Sequence, residues 1–233
     1  MFLNEDKLEG MSLDAKKSSH PIQVVVNTPE DAESIFDAIS YNKGASILYM
    51  IYGYLGKDVF FKSVREYLKK FRFSNAESKD LWNMMSEVSG LDVAPLIEYW
   101  ISNSGFPCVD FSLNKEKNCI QISQHQYFST NEKANPSTKV WPIPINMTLG
   151  SSSGKKVNKT FVFNEKSTTI DLPFNSADEL NGISLNNGCY AFITYHLDEN
   201  LRSIIHQNFD FLGSLERSEY INNLTFLVFF ILK

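Results

Sequence analysis

Cysteine is scarce in this chain. Cys108, Cys119 and Cys189 stand far apart, with no C-x-x-C pair among them. An odd, scattered set excludes a disulfide framework and a zinc knuckle, and it reads as the reduced thiols of a cytoplasmic protein. Histidine lacks any useful pattern. None of His20, His125, His196 and His206 lies three to five residues from another, so no helix face offers a paired imidazole site. No H-E-x-x-H occurs. Positive charge is not in excess either: 22 Lys and Arg face 27 Asp and Glu, a net charge of -5, so no nucleic-acid partner is expected.

Long apolar runs are also absent. Leu224–Leu232 is too short for a membrane-spanning helix, which needs roughly 20 residues, and it reads as a core helix. No membrane span is expected. Residues 1–17 carry Glu5, Asp6, Glu9 and Asp14 around a short apolar content, unlike a secretory signal. The matches to the glycosylation sequon at Asn146, Asn158 and Asn223 are therefore read as chance. Two catalytic motifs fail on inspection. Gly44-Ala45-Ser46-Ile47-Leu48 lacks the second glycine of a nucleophile elbow. Gly150 to Lys156 is one residue short of a phosphate loop and lies between strand patterns, so it reads as a hairpin.

What is present is ordinary globular material. Hydrophobic residues make up 43%, enough for a substantial core and too many for disorder. Residues 1–27 read as a linker followed by an extended piece, with Ile22 to Val26 as a short β-branched run. Thr28, Pro29, Glu30 and Asp31 mark a helix start, and that helix is expected to reach about Ser40. Further helices are expected from Lys43 to Gly56, Asp58 to Phe71, Ser78 to Gly90 and Asp92 to Gly105. The third of these five places Phe60, Phe61, Val64, Tyr67, Leu68 and Phe71 on its apolar side. Its basic residues Lys62, Arg65, Lys69, Lys70 and Arg72 read as a solvated face. From Phe106 the pattern changes to short strands separated by turn residues: 108–113, 119–123, 140–149, 160–163, 168–172 and 190–195. That spacing predicts an antiparallel β-sandwich over 106–197. Helix resumes at Asp198 and runs toward Lys233.

One stretch stands out, Ile39-Ser40-Tyr41-Asn42-Lys43-Gly44-Ala45. It resembles the I-S-Y-x-K-G-A segment of the aminopeptidase N-like zinc metallopeptidases. Other pieces resemble the same family in the same order. Ser18-Ser19-His20-Pro21-Ile22 precedes it. Tyr67-Leu68, Asn75-Ala76 and Asp80-Leu81-Trp82 follow it. Trp100 with Gly105-Phe106-Pro107, and Trp141-Pro142-Ile143-Pro144, complete the series, which covers roughly residues 15 to 200. Gln126 departs from the pattern, standing where the family has an arginine.

The resemblance implies an α+β multidomain fold. Residues 28–105 would be the helical end of a thermolysin-like catalytic domain, 106–197 a β-sandwich, and 198–233 the start of a helical domain. It also implies chemistry: release of N-terminal amino acids from a peptide substrate, with zinc held by two histidines and a glutamate. Tyr41 would be the transition-state tyrosine, donating its O–H to the oxyanion. The zinc motif is not in this chain, so no zinc is expected to bind it and no hydrolysis by the isolated chain is expected. Three readings stay open: a fragment of a zinc aminopeptidase, a non-catalytic interaction or regulatory module, and a half enzyme partnered by a zinc-bearing N-terminal half or a related aminopeptidase. Each expects an apolar face near Ile47, Leu48 and Ile51.

Overall fold

The computed structural model describes residues 5–29, 37–129 and 138–231, with side chains of the last helix described to Thr225. Helix α1 spans Asp6–Asp14. A π-helical turn, Ile39–Lys43, leads into α2 at Gly44–Leu55. Helices α3 (Lys57–Lys70), α4 (Ser78–Ser89) and α5 (Val93–Ser102) follow. The strands are β1 (Pro107–Asn114), β2 (Cys119–Gln126), β3 (Ile143–Ser151), β4 (Lys156–Phe163), β5 (Ser167–Asp171), β6 (Leu180–Ser184) and β7 (Thr194–Leu197). Helices α6 (Glu199–Gln207) and α7 (Ser214–Ile231) end the described chain. The fold is a mixture of helices with two small, mostly antiparallel sheets.

One sheet has the order β5-β2-β1-β7 and the other β4-β3-β6. The β1–β7 pair is parallel, a departure from the purely antiparallel expectation. Strand β6 lies where the sequence reads as loop. Its Gly182 has a physical reason: a Cβ there would stand 2.4 Å from the Phe211 ring, so only glycine fits beneath that ring. Strand β3 begins at Ile143 rather than Val140 because Gln124 takes over the preceding backbone. Its Oδ-equivalent amide oxygen, Oε1, accepts from the Trp141 amide at 2.9 Å, and its Nε2 donates to the Trp141 carbonyl at 3.0 Å. Asn186 does the same for 190–193. Its amide brackets Ala191, donating to the carbonyl at 3.3 Å and accepting from the N–H at 2.9 Å, and β7 starts only at Thr194.

The expected linker is in part a docked helix. Residues 6–14 form α1, whose Lys7, Gly10, Met11 and Asp14 are buried. Lys7 donates to the Cys189 carbonyl and to Glu219, both at 2.9 Å, tying α1 to α7. The sequence hides this helix because two of its inward positions are charged. The expected run at Ile22 to Val26 is not a strand. The expected helix from Thr28 to Ser40 lies largely outside the described residues. Gly56 and Gly90 close their helices with positive φ, as the sequence predicts. The α4 N-cap falls at Glu77 instead of Ser78, with the Asp80 carboxylate accepting from the Glu77 amide at 2.8 Å.

One continuous apolar core runs through helices and both sheets, from Met50 and Ile51 of α2 through Trp100 and Phe106 to Ile143 and Phe192. Trp100 Nε1 donates to the Pro142 carbonyl at 2.7 Å, so α5 is pinned to the start of β3. The exposed face near α2 is narrower than the sequence suggests. Ile47 and Ile51 are buried on a helix that packs against α5 and β3, and Leu48 alone of the three is exposed. On α3, Phe61 and Leu68 are exposed rather than buried, and the basic residues of that helix are solvated. Among the described residues no helix is long and apolar enough to cross a membrane.

Gly53 sets how closely α2 approaches the loop before β7. A Cβ there would stand 2.1 Å from the Tyr190 ring. Glycine-to-alanine in a helix ordinarily stabilises by about 0.5–1 kcal/mol. Here the overlap reverses the sign: Gly53→Ala is expected to destabilise by about 1–3 kcal/mol in urea unfolding. Adding Tyr190→Ala should make the alanine at 53 tolerated.

Candidate active site

The tyrosine singled out by the sequence sits on the π-helical turn, and the residue is 63% exposed. Single π turns inside helices recur at functional sites because the extra residue redirects a side chain. This one is fixed from several directions. The Tyr41 amide donates to the Asp37 carbonyl at 3.1 Å, and the Asp37 carboxylate accepts from the Ser40 amide at 2.8 Å. His20 Nε2 meets the other Asp37 oxygen at 2.6 Å, while its Nδ1 lies 2.8 Å from the Pro21 carbonyl. Asn42 donates to Glu9 of α1 at 2.9 Å. Gly10 lets α1 come close: a Cβ there would already lie 3.2 Å from Asn42 and Lys43 atoms.

The innermost support is an ion pair with no solvent exposure. Lys43 Nζ lies 2.9 Å from Asp14 Oδ2, and both side chains are 0% exposed. Lys43 also donates to the Asn103 carbonyl at 2.8 Å and the Gly105 carbonyl at 3.3 Å. Asp14 Oδ1 accepts from the Gly105 amide at 2.8 Å and from the Ser19 hydroxyl. Gly105 has φ of 83°, a conformation that L side chains rarely adopt, and it turns both its N–H and its C=O toward the pair. Burial pushes the Lys43 ammonium below its usual pKa, and the Asp14 carboxylate opposes that shift. The pair therefore joins α1, the tyrosine turn and the α5–β1 connection.

Residues around Tyr41 do not fit a catalytic zinc. Both ring nitrogens of His20 face acceptors within hydrogen-bond distance, and no second imidazole joins it among the described residues. What the arrangement offers is an exposed phenol O–H, a hydrogen-bond donor, held on a rigid turn. Ala45 and Leu48 of α2 are exposed beside it along the helix, and Tyr52 is half-buried. The sequence pointed to Tyr41. It did not reveal Asp14 and Lys43 as supports, since their partners are remote in the chain, nor the contact of Asp37 with His20.

Residues 1–100 match the Peptidase family M1 domain. The chain is 38% identical to an alanine/arginine aminopeptidase of Saccharomyces cerevisiae over 85% of its own length and 22% of the relative's. The chain belongs to the M1 peptidase family. It is also 34% identical to a puromycin-sensitive aminopeptidase of Caenorhabditis elegans, over 88% of this chain and 21% of that protein. A tricorn protease-interacting factor F2 of Thermoplasma acidophilum matches 96% of the chain at 34% identity, over 26% of its own length. This M1 chain thus spans about a fifth to a quarter of the length of the relatives it matches.

Two outcomes follow for the supports. Lys43→Met leaves a buried carboxylate uncompensated and should cost about 3–5 kcal/mol in urea unfolding. Adding Asp14→Asn removes the stranded charge and should recover part of that loss. The second concerns His20, whose pKa is raised, chiefly by the Pro21 carbonyl and then by Asp37. A raised histidine contributes stability that is complete below its unfolded value of about 6.5 and is lost as pH rises through the folded value. Asp37 is lowered by the Ser40 amide and His20, so its contribution is lost as pH falls through its own folded value. Asp37→Asn should move the His20 titration downward in an NMR pH series; an unmoved midpoint would remove the pair from the account.

Proposed function

We propose that this chain is the part of a zinc-dependent M1 aminopeptidase that supplies the oxyanion-stabilising tyrosine. In this reading Tyr41 donates its O–H to the oxygen on which negative charge develops as a peptide bond next to a free N-terminus is hydrolysed. Preorganised donors of this kind lower the barrier because they need not reorient as charge appears. The observation that carries the reading is an exposed Tyr41 on a turn anchored by the buried Asp14–Lys43 pair, within a chain that belongs to the family.

Zinc, when present in such an enzyme, polarises the scissile carbonyl and the attacking water. Its ligands would come from sequence other than these 233 residues, because no H-E-x-x-H occurs here. The exposed side chains of Tyr41, Ala45 and Leu48 would then face that zinc-bearing portion across a peptide cleft. In domain terms, the helices through α5 would close a thermolysin-like catalytic domain, the two sheets would form the β-sandwich after it, and α6 and α7 would begin a helical domain. The isolated chain is inactive in this reading. Its three free, buried cysteines suit a reducing, cytoplasmic setting.

The test is a chimera. The matched stretch of the yeast alanine/arginine aminopeptidase is replaced by this chain, and cleavage of an aminoacyl chromogenic amide is measured. Activity should be retained, and Tyr41→Phe should lower kcat by about 10²–10³ with little change in KM. A chimera that is active but indifferent to Tyr41→Phe would favour the non-catalytic module instead.

A further inference from the structure

Sheet register gathers four potential metal donors that the sequence scatters. Cys108 and Asp110 lie two apart on β1 and so point to the same face. Cys108 is paired across the ladder with His125 of β2, and Asp110 with His196 of β7. All four side chains therefore share one face at one end of the sheet. The ligand atoms of Cys108, Asp110 and His125 lie within 4.8 Å of one another. His125 Nδ1 is 3.1 Å from Asp110 Oδ2, His196 Nδ1 is 3.2 Å from Asp110 Oδ1, and Cys108 Sγ is 3.7 Å from His196 Nδ1.

Three of those separations match edges of a tetrahedral zinc site, though the two histidines meet opposite oxygens of Asp110 and their ring centroids are 6.4 Å apart, so they would have to close on the ion to complete it. Metal–N and metal–O bonds of 2.0–2.1 Å give donor–donor edges of about 3.3 Å, and a metal–S bond of 2.3 Å gives edges to N or O of about 3.6 Å. The chemistry of the donors agrees: one thiol, two imidazoles and one carboxylate suit a borderline-soft divalent ion. Access agrees too. Asp110, His125 and His196 are between 42% and 48% exposed, whereas Cys108 is buried beneath them. Ser123 Oγ, 3.4 Å from Asp110 Oδ2, stands in position to orient the carboxylate.

We infer that Cys108, Asp110, His125 and His196 form a binding site for a zinc-class divalent transition metal on the open face of the β5-β2-β1-β7 sheet. On binding, the Cys108 S–H bond gives up its proton to solvent and the thiolate sulfur donates its electron pair to the ion. Each histidine uses the Nδ1 that faces the carboxylate, and the proton donated there is given up to solvent or carried on Nε2, leaving a neutral imidazole. The inference does not rest on the peptidase reading, and its test needs no activity.

The full chain, kept reduced, is titrated with Zn²⁺ by calorimetry and with Co²⁺ by absorption. One equivalent should bind, with a thiolate-to-cobalt charge-transfer band and the visible intensity of a tetrahedral site. Cys108→Ser should abolish the charge-transfer band. His125→Ala and His196→Ala, both at exposed positions where folding should survive, should each weaken affinity about tenfold or more. His206→Ala should change nothing. No stoichiometric binding by the folded chain, or binding that survives His125→Ala with His196→Ala at full strength, would overturn the site.

Discussion

The buried Asp14–Lys43 pair is the constraint on which the geometry around Tyr41 depends. Desolvating two charges costs several kcal/mol per ion, and the cost is recovered only when every remaining hydrogen-bonding capacity is met. Here backbone supplies most of the partners, the carbonyls of Asn103 and Gly105 for Lys43 and the Gly105 amide for Asp14 Oδ1, while Asp14 Oδ2 has only the Lys43 ammonium among the described residues. Those groups are in place only if α1, the π turn and the α5–β1 connection are all in place together. An apolar substitute would stabilise the same region through contact area, but contact area is indifferent to small rotations. A charge pair with directed hydrogen bonds is not, and it holds the turn that carries Tyr41 to one orientation.

Much of the architecture was legible in the sequence, and the misses share a cause. Helices α2 to α5 announced themselves through apolar spacing and through Gly56 and Gly90 at their ends. Strands β1, β2 and β5 fell close to their expected places. Helix α1 did not, because Lys7 and Asp14 occupy inward positions that periodicity assumes to be apolar. Strand β6 did not, because Gly182 is there for the Phe211 ring and reads locally as a turn. The expected strands at 140–142 and 190–193 are instead held by the side-chain amides of Gln124 and Asn186, which mimic a ladder without a neighbouring strand. Most of these depend on a partner far away in the chain; the Asn186–Ala191 bracket is local but rests on a side-chain amide that periodicity does not register. The same limit applies to the tyrosine site. Tyr41 could be found by its local segment, while Asp14, Asp37 and the gathering of Cys108 with His196 appear only once register and packing are known.

Helices and sheets here share packing across Phe106. Trp100 and Trp141 pack across that junction, with ring centroids 6.4 Å apart, and Phe192 closes on Trp100 from the loop before β7. A cavity opened at any of these aromatics would be felt on both sides, since the core beneath α2 and the core between the sheets are one body of side chains. Exposed apolar residues lie away from that junction, among them Leu48 of α2, Phe61 and Leu68 of α3 and Leu215 and Ile221 of α7.

Asn223 gives α7 a task beyond packing. Its Oδ1 accepts from the Thr194 hydroxyl at 2.7 Å and the Tyr195 amide at 3.0 Å, and its Nδ2 donates to the Tyr195 carbonyl at 2.8 Å. Strand β7 is the outermost member of its sheet, so these are the very groups an incoming strand would seek. A chain that lost its last helix would keep most of its interior and yet present a row of unpaired peptide groups to its neighbours. Such a protein would fail first by sticking to copies of itself, well before it failed by unfolding.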